Sequence, residues 1–143
     1  MSDILHDFVI QCPPPAVFQG ISTPTGLDQW WTQRSVGRPG VGEEYRLWFG
    51  PEHDWRAVVI DLVPDRRLVW RIAEASPDWV GTVVGFELAP SALGTNVQFR
   101  HEGWAEPSDH YRTSSYCWAM YLRILLRFLE HGETVSYENR LAV

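Results

Sequence analysis

The chain has 143 residues, of which 45% are hydrophobic and 21% are charged, a composition typical of one globular domain spanning residues 1–143. Its formal net charge is −6, and its 12 arginines, which are present without any lysine, do not cluster on one face. This pattern argues against a nucleic acid or an anionic membrane as the main partner.

The amino-terminal residues show no basic segment followed by an apolar run, and no stretch is apolar for long enough to span a bilayer. We therefore expect no secretory signal, no membrane insertion and a cytoplasmic location. Cys12 and Cys117 lie far apart, without the spacing of a disulfide framework or a zinc site, and are interpreted as ordinary thiols.

The first part of the chain predicts one strand followed by two short helices. The strand is expected at Ile4–Ile10 and ends at three consecutive prolines, which remove backbone donors and preset the dihedral angle of a helix start. A first helix is predicted through Ala16–Phe18. A second is predicted through Leu27–Trp31, after the break at Ser22–Gly26.

The middle of the chain predicts antiparallel strands separated by turns rich in glycine and proline. Strands are expected at Glu43–Phe49, Trp55–Val63, Leu68–Ala73, Val80–Leu88 and Thr95–His101. The last of these alternates most regularly, which directs Val97, Phe99 and His101 to one face of the sheet. That face is expected to point inward.

The end of the chain predicts one long amphipathic helix, from about Ser108 to His131. Trp118, Leu122 and Leu125 recur at intervals of three and four residues, and Ser108 is a suitable helix cap. Residues after about 132 are expected to be flexible. Because neither an amphipathic helix nor a two-faced sheet can hide its apolar surface alone, we expect the helix to pack on the sheet.

Four segments carry a resemblance to a known family. They are 25–31 (TGLDQWW), 59–70 (VIDLVPDRRLVW), 86–97 (FELAPSALGTNV) and 101–104 (HEGW). Their order resembles the helix-grip fold, also called START-like, Bet v 1-like or SRPBCC, and within it the AHSA1-like family named after activators of the Hsp90 ATPase. The resemblance implies an α+β domain with an antiparallel sheet of six to seven strands wrapped around a long carboxyl-terminal helix, and two short helices after the first strand.

The resemblance also implies a cavity between the sheet and the last helix, often filled by an apolar or aromatic molecule. Strand and helix periodicity directs Trp70, Phe86, Phe99, His101 and Trp118 to the same space. The alternative is that these rings simply fill the core. The expected ligand-binding residues are Trp31, Trp48, Trp70, Phe86, Phe99, His101, Tyr116, Trp118, Tyr121 and Leu122.

Two polar residues within the strands leave alternatives open. His101 either contacts the ligand or bonds to a hydroxyl such as that of Tyr116 or Tyr121. Asp61 either points inward, as a ligand-orienting group or a base, or faces solvent and pairs with an arginine. The sequence does not decide its direction.

The other polar residues carry no assigned chemistry. His53 and His110 lack metal-ligand spacing and are interpreted as surface residues. The glycines between 37 and 42 do not form a phosphate-binding pattern. No catalytic residue, metal site or cofactor is assigned.

Three classes of function follow from these observations. The first is binding of a small hydrophobic or aromatic molecule, such as a lipid, a polyketide or a flavonoid-like compound. The second is an enzyme of the cyclase or hydratase type that uses the same cavity, with His101, Asp61 or a tyrosine at the reacting atom. The third is interaction with a protein partner, including stimulation of an Hsp90-type ATPase, which the family name implies. Homodimerisation through an edge strand or exposed tryptophans is a further alternative.

Overall fold

The computed structural model describes residues 1–143 and shows a seven-stranded antiparallel sheet curved around one long helix. The strands lie in the order β1-β7-β6-β5-β4-β3-β2, so that β1 and β2 are the two edges. Their bounds are β1 (Ser2–Ile10), β2 (Arg34–Val36), β3 (Glu44–Trp48), β4 (Asp54–Val63), β5 (Arg67–Glu74), β6 (Val83–Ser91) and β7 (Gly94–Trp104). This is the α+β helix-grip arrangement expected from the sequence.

Two short helices, α1 (Pro14–Ser22) and α2 (Pro24–Trp30), connect the edges of the sheet. Thr23 joins them, because its hydroxyl donates to the carbonyl of Gln19 at 2.8 Å and accepts from the backbone of Gly26 at 3.0 Å. The helices cross closely at Gly26, where a Cβ atom would lie 2.6 Å from the carbonyl oxygen of Gly20. The expected tandem helices are therefore confirmed.

The long helix α3 (Asp109–His131) lies against the concave face of the sheet. It begins at Ser108, whose side chain accepts a hydrogen bond from the backbone of Tyr111 at 3.2 Å, as the sequence predicts. It ends at Gly132, in the left-handed conformation that favours glycine. No helix of the protein is both long and apolar enough to cross a membrane.

Aromatic rings fill the space between the sheet and α3. The largest side chains without exposed surface include Trp30, Trp70 and Trp104, and Trp118 of α3 packs among them. The ring centroids of Phe99 and Trp118 lie 4.5 Å apart, so the middle of the helix contacts the sheet directly. The centre of the fold is therefore a packed core.

The outer face of the sheet carries ion pairs between neighbouring strands. Asp61 lies on this face with its carboxylate 3.1 Å from Arg67, which also contacts Glu87 at 2.6 Å. Arg100 pairs with Glu102. Of the two orientations left open for Asp61, the structure shows the outward one.

Three local expectations need correction. The strand expected from Val80 begins at Val83, because residues 79–82 form a hydrogen-bonded turn that leaves Val80 half exposed. The short edge strand β2 was not predicted. The residues after 131 fold back on the protein through a short 3₁₀ helix (Tyr137–Ala142), in which Arg140 is buried and donates to the carbonyl of Asp28 at 2.7 Å.

Candidate functional site

A pocket of about 230 Å³ opens at one end of the sheet, beside the first half of α3. Five segments of the chain meet there: the end of α2, the β3–β4 hairpin, the β5–β6 connection, α3 and the carboxyl-terminal segment. The lining residues are Trp31, Phe49, His53, Trp55, Ser76, Trp79, His110, Thr113, Ser114, Cys117, Trp118, Tyr121 and Tyr137. Wider depressions, up to about 580 Å³, lie on the outer face of the sheet, where half of the lining is polar.

Trp79 is the central ring of this pocket. It lies in the turn after β5, is 6% exposed and stacks on Trp118 with the ring planes 22° apart. Its indole Nε1 donates to the hydroxyl of Ser114 at 3.3 Å. Trp55 also packs against it, with the centroids 4.8 Å apart and the ring planes tilted by 50°. The ring is thus held from the sheet and from the helix, which makes it a rigid apolar wall.

A histidine and a carboxylate form a pair at the pocket. His110, in the first turn of α3, lines the pocket, and its Nδ1 lies 2.7 and 2.9 Å from the two carboxylate oxygens of Asp78. The imidazole stacks on Trp79 with an interplanar angle of 28° and meets the edge of Trp104. His110 lies at the surface as expected, with its side chain 40% exposed, but it also lines the pocket and bonds to Asp78 of the β5–β6 connection, which the sequence did not indicate.

His101 lies behind the pocket wall rather than in the pocket. Its Nε2 is 2.7 Å from the hydroxyl of Thr82, which itself donates to the carbonyl of Trp79, so the imidazole donates at this nitrogen. Its Nδ1 accepts from Nε1 of Trp118 at 3.1 Å. Burial, with a smaller contribution from the nearby His110, lowers the pKa of His101 to about 3 against an opposing effect of Asp78. The imidazole is a neutral core group whose partner is Thr82, not Tyr116 or Tyr121.

A thiol and a phenol add polar groups to the wall formed by α3. Burial raises the pKa of the Cys117 thiol, which keeps the sulfur protonated at neutral pH. Burial, together with Tyr137 and Cys117, raises the pKa of Tyr121 to about 12 against an opposing effect of Arg140, so its hydroxyl remains a hydrogen-bond donor. These groups are suited to recognising a neutral polar atom on an otherwise apolar ligand.

The carboxyl-terminal segment closes one side of the pocket with Tyr137. Arg140 fixes this segment, since its guanidinium donates to the carbonyl oxygens of Thr32, Asp28 and Val135 at 3.1, 2.7 and 3.1 Å. Sequence reasoning missed this element because it shows no apolar periodicity. Its only signal is an aromatic and an arginine three residues apart in a polar tail.

The structure divides the ten predicted ligand-binding residues into three groups. Three of them, Trp31, Trp118 and Tyr121, line the pocket. Five are buried in the core or in the wall behind the pocket, namely Trp70, Phe86, Phe99, His101 and Leu122. The remaining two, Trp48 and Tyr116, lie on outer surfaces, away from the pocket.

The predictions for Trp48 and Tyr116 are wrong, and the periodicity of the strand and of the helix explains why both side chains point outward. Trp48 has the strand parity of the exposed Glu44 and Arg46, and the guanidinium of Arg34 lies 4.2 Å above its ring. Tyr116 is 80% exposed because it lies two residues, or about 200°, around the helix from the buried Trp118. Neither residue is among those that line the pocket.

The pocket residues that the sequence reasoning missed on α3, among them His110, Ser114 and Cys117, share a signal with Trp118 and Tyr121, which it did predict. His110, Ser114, Cys117, Trp118 and Tyr121 follow one another at intervals of four, three, one and three residues, which places them on one helix face. This polar and aromatic stripe precedes the leucine-rich stripe of the second half of the helix. The change from polar and aromatic residues to leucines along this face of α3 marks the boundary between the pocket and the core.

Comparison with known proteins gives a family and a set of related structures. The family described as activator of Hsp90 ATPase homolog 1-like protein matches residues 11–130 of the chain. No curated protein matches the sequence. The solution structure of the Aha1 dimer from Colwellia psychrerythraea has a TM-score of 0.85 at 30% identity, over 93% of this chain and 99% of that one.

Two further solved structures share the fold at lower identity. DynU16, from the dynemicin biosynthetic locus, has a TM-score of 0.80 at 19% identity, over 95% of this chain and 51% of that one. CalU16 from Micromonospora echinospora has a TM-score of 0.72 at 17% identity, over 96% of this chain and 79% of that one. At these identities the likeness is one of fold.

Proposed function

Because the chain belongs to the family of activator of Hsp90 ATPase homolog 1-like proteins, we propose that it uses the end of its helix-grip fold to bind a small aromatic molecule. The observation that carries this proposal is the open pocket walled by Trp31, Trp55, Trp79 and Trp118. Apolar ring faces with a few polar groups at the edge are the usual composition of small-molecule sites.

The size of the pocket limits the ligand. Its volume of about 230 Å³ lies between the roughly 150 Å³ of a cavity that holds benzene and the roughly 300 to 1,000 Å³ of sites for drug-sized molecules. A molecule of one ring or two fused rings fits this space. Among the ligand types expected from the sequence, the simple aromatic compounds are therefore favoured over long lipids and multi-ring polyketides.

The packing of the core also supports a ligand site at the end of the sheet. The space between the sheet and the middle of α3, where the sequence places the cavity, is occupied by Phe86, Phe99 and Trp118. The open volume lies farther towards the start of α3. Two of the residues that the sequence suggested for catalysis are already engaged elsewhere. His101 has both ring nitrogens hydrogen-bonded, and Asp61 lies on the outer face of the sheet.

The proposal is tested by calorimetric titration with aromatic ligands of increasing size. One-ring and two-ring compounds are expected to bind, whereas a flavonoid and a long-chain fatty acid are not. Cys117→Phe places a ring in the pocket and is expected to abolish binding, and Ala119→Phe, which adds the same ring at an exposed position of α3, serves as its control. Equal binding by these two variants, or no binding by any ligand of the series, would reject the pocket as the site.

A second candidate function is interaction with a protein partner. It is favoured by the 30% identity to a protein named Aha1 over 99% of that chain, and by the family description, which names the activator of the Hsp90 ATPase. The expected result is a rise in ATP hydrolysis by purified Hsp90 when this protein is added. An unchanged rate at saturating protein would contradict it.

We also propose that the chain forms a homodimer. The support is the dimeric state of the Aha1 structure from Colwellia psychrerythraea. Light scattering coupled to size-exclusion chromatography is expected to give twice the chain mass of 16.5 kDa. A mass equal to one chain across the concentration range would contradict the dimer.

A further inference from the structure

We propose that the pocket selects aromatic molecules that carry an N–H or O–H group, because His110 offers them a hydrogen-bond acceptor through Nε2. This inference rests on the proposed binding function and names the chemical class of its ligand. It assigns to His110 the polar recognition that was one of the two alternatives left open for His101.

The tautomer of His110 follows from its contacts. A carboxylate can only accept hydrogen bonds, and both oxygens of Asp78 lie within 2.9 Å of Nδ1, so Nδ1 carries the proton. In the neutral imidazole the other nitrogen, Nε2, then has a free lone pair. The contacts with Asp78 are the only hydrogen bonds of this ring, so Nε2 has no partner within the protein.

The imidazole is also held in place. Asp78 is not part of the pocket lining, so the nitrogen that it binds is turned away from the open volume that His110 lines. One face of the ring stacks on Trp79, with centroids 6.2 Å apart, and Trp104 approaches it at 87°. An acceptor fixed by a carboxylate and two indole rings is preorganised, so little ordering opposes ligand binding.

The second imidazole at the pocket provides an internal contrast. His53 lies in the exposed β3–β4 turn, meets Trp55 edge-on and has no carboxylate partner. Its tautomer is therefore not fixed by a hydrogen bond within the protein. The donor preference is therefore assigned to His110 rather than to both histidines.

Selectivity follows from the loss of water at Nε2. A ligand that covers this nitrogen without offering a donor leaves a polar atom unpaired, whereas an N–H or O–H group replaces the displaced water. One neutral hydrogen bond of this kind corresponds to a preference of about threefold to tenfold. The preference is small enough to require ligands matched in shape.

Indole and indene are such a pair, since they have the same fused-ring shape and only indole carries an N–H donor. Their affinities are measured by calorimetric titration of the full chain in a mildly alkaline buffer. The wild type is expected to bind indole about threefold to tenfold more tightly than indene. In His110→Phe the two ligands are expected to bind equally, whereas in His53→Phe both affinities change together and their ratio is kept.

Nitrogen NMR of the wild-type histidines provides a readout that needs no variant. Indole is expected to shift the Nε2 resonance of His110 in the direction of an accepted hydrogen bond, and indene is not. A wild type that binds both ligands equally, a preference that survives His110→Phe, or a His110 ring protonated at both nitrogens would overturn the inference and leave aromatic binding intact. Binding of neither ligand would overturn the proposed function itself.

Discussion

His101 and Trp118 are joined by a hydrogen bond of 3.1 Å between the imidazole Nδ1 and the indole Nε1, in the middle of the core. The bond connects β7 to α3. The other imidazole nitrogen bonds to the hydroxyl of Thr82, which in turn donates to the backbone carbonyl of Trp79. Trp79 and Trp118 are also two walls of the pocket. The polar contacts that hold the helix on the sheet therefore also position the rings of the candidate site.

Trp118→Phe is expected to destabilise the protein more than Trp70→Phe. Both indoles are buried, but Nε1 of Trp70 has no hydrogen-bond partner, whereas Nε1 of Trp118 satisfies His101. The two substitutions remove similar volumes, so the difference isolates the hydrogen bond. Loss of a partner for a buried nitrogen costs about 1 to 3 kcal/mol. Urea denaturation of the two variants measures the difference, and equal free energies of unfolding would contradict it.

The buried His101 is expected to make the protein less stable in acid. Burial lowers its pKa to about 3, below the value of about 6.5 for an unfolded chain. Between these limits the unfolded state binds more protons, so the free energy of unfolding falls as the pH falls from about 6.5 to about 3. The full effect of this one group is on the order of 5 kcal/mol.

The contribution of His101 is measured by urea titrations at several pH values, with His101→Gln as the comparison. The variant lacks the titrating ring, so its free energy of unfolding is expected to fall less steeply over the same range. Carboxylates on the surface act on both proteins and cancel in the difference. Parallel curves for the two proteins would show that this histidine does not govern the acid response.

The fold was predictable because its signals are local and repeated. Alternation along β7 placed Phe99 and His101 inward, and the spacing of Trp118 and Leu122 identified the packed face of α3. Turn residues marked most strand ends. Strand β2 was missed because three residues, Arg34–Val36, are too few to show a period, and it exists only by pairing with β3.

The candidate site was less predictable because it is built from segments distant in sequence. Trp79 and Asp78 lie in a turn, where periodicity carries no information about direction, and their partner His110 follows more than thirty residues later. Periodicity also cannot distinguish a ring that fills the core from one that lines a pocket. Phe86 and Trp31 both face inward, but only Trp31 lies where the sheet and helix diverge.

Arg140→Met is expected to destabilise the carboxyl-terminal segment and to weaken ligand binding. Arg140 is 4% exposed, and its guanidinium satisfies the carbonyl oxygens of Thr32 and Asp28, which the variant leaves unpaired. The expected loss of stability is about 1 to 3 kcal/mol. Because Tyr137 on the same segment lines the pocket, affinity for an aromatic ligand is expected to fall as well.

Arg127→Met is the matched control for the arginine in the tail. Arg127 forms an exposed ion pair with Glu133 at 2.7 Å, and such pairs contribute about 0 to 1 kcal/mol. Thermal unfolding and ligand titration of both variants measure the two effects. If Arg140→Met unfolds at the same temperature as Arg127→Met, the buried guanidinium does not hold the segment.

Ligand binding is expected to protect Cys117, but not Cys12, from alkylation. Cys117 lines the pocket, whereas Cys12 lies outside it and bonds to the carbonyl of Leu129. Burial raises the pKa of both thiols, and Glu130 adds to this effect at Cys12, so both react slowly when the pocket is empty. A ligand at about ten times its Kd is expected to slow the labelling of Cys117 about tenfold. The rates are measured by mass spectrometry in Cys12→Ser and Cys117→Ser. Equal protection of the two thiols would indicate general stabilisation of the fold instead of occupancy of the pocket.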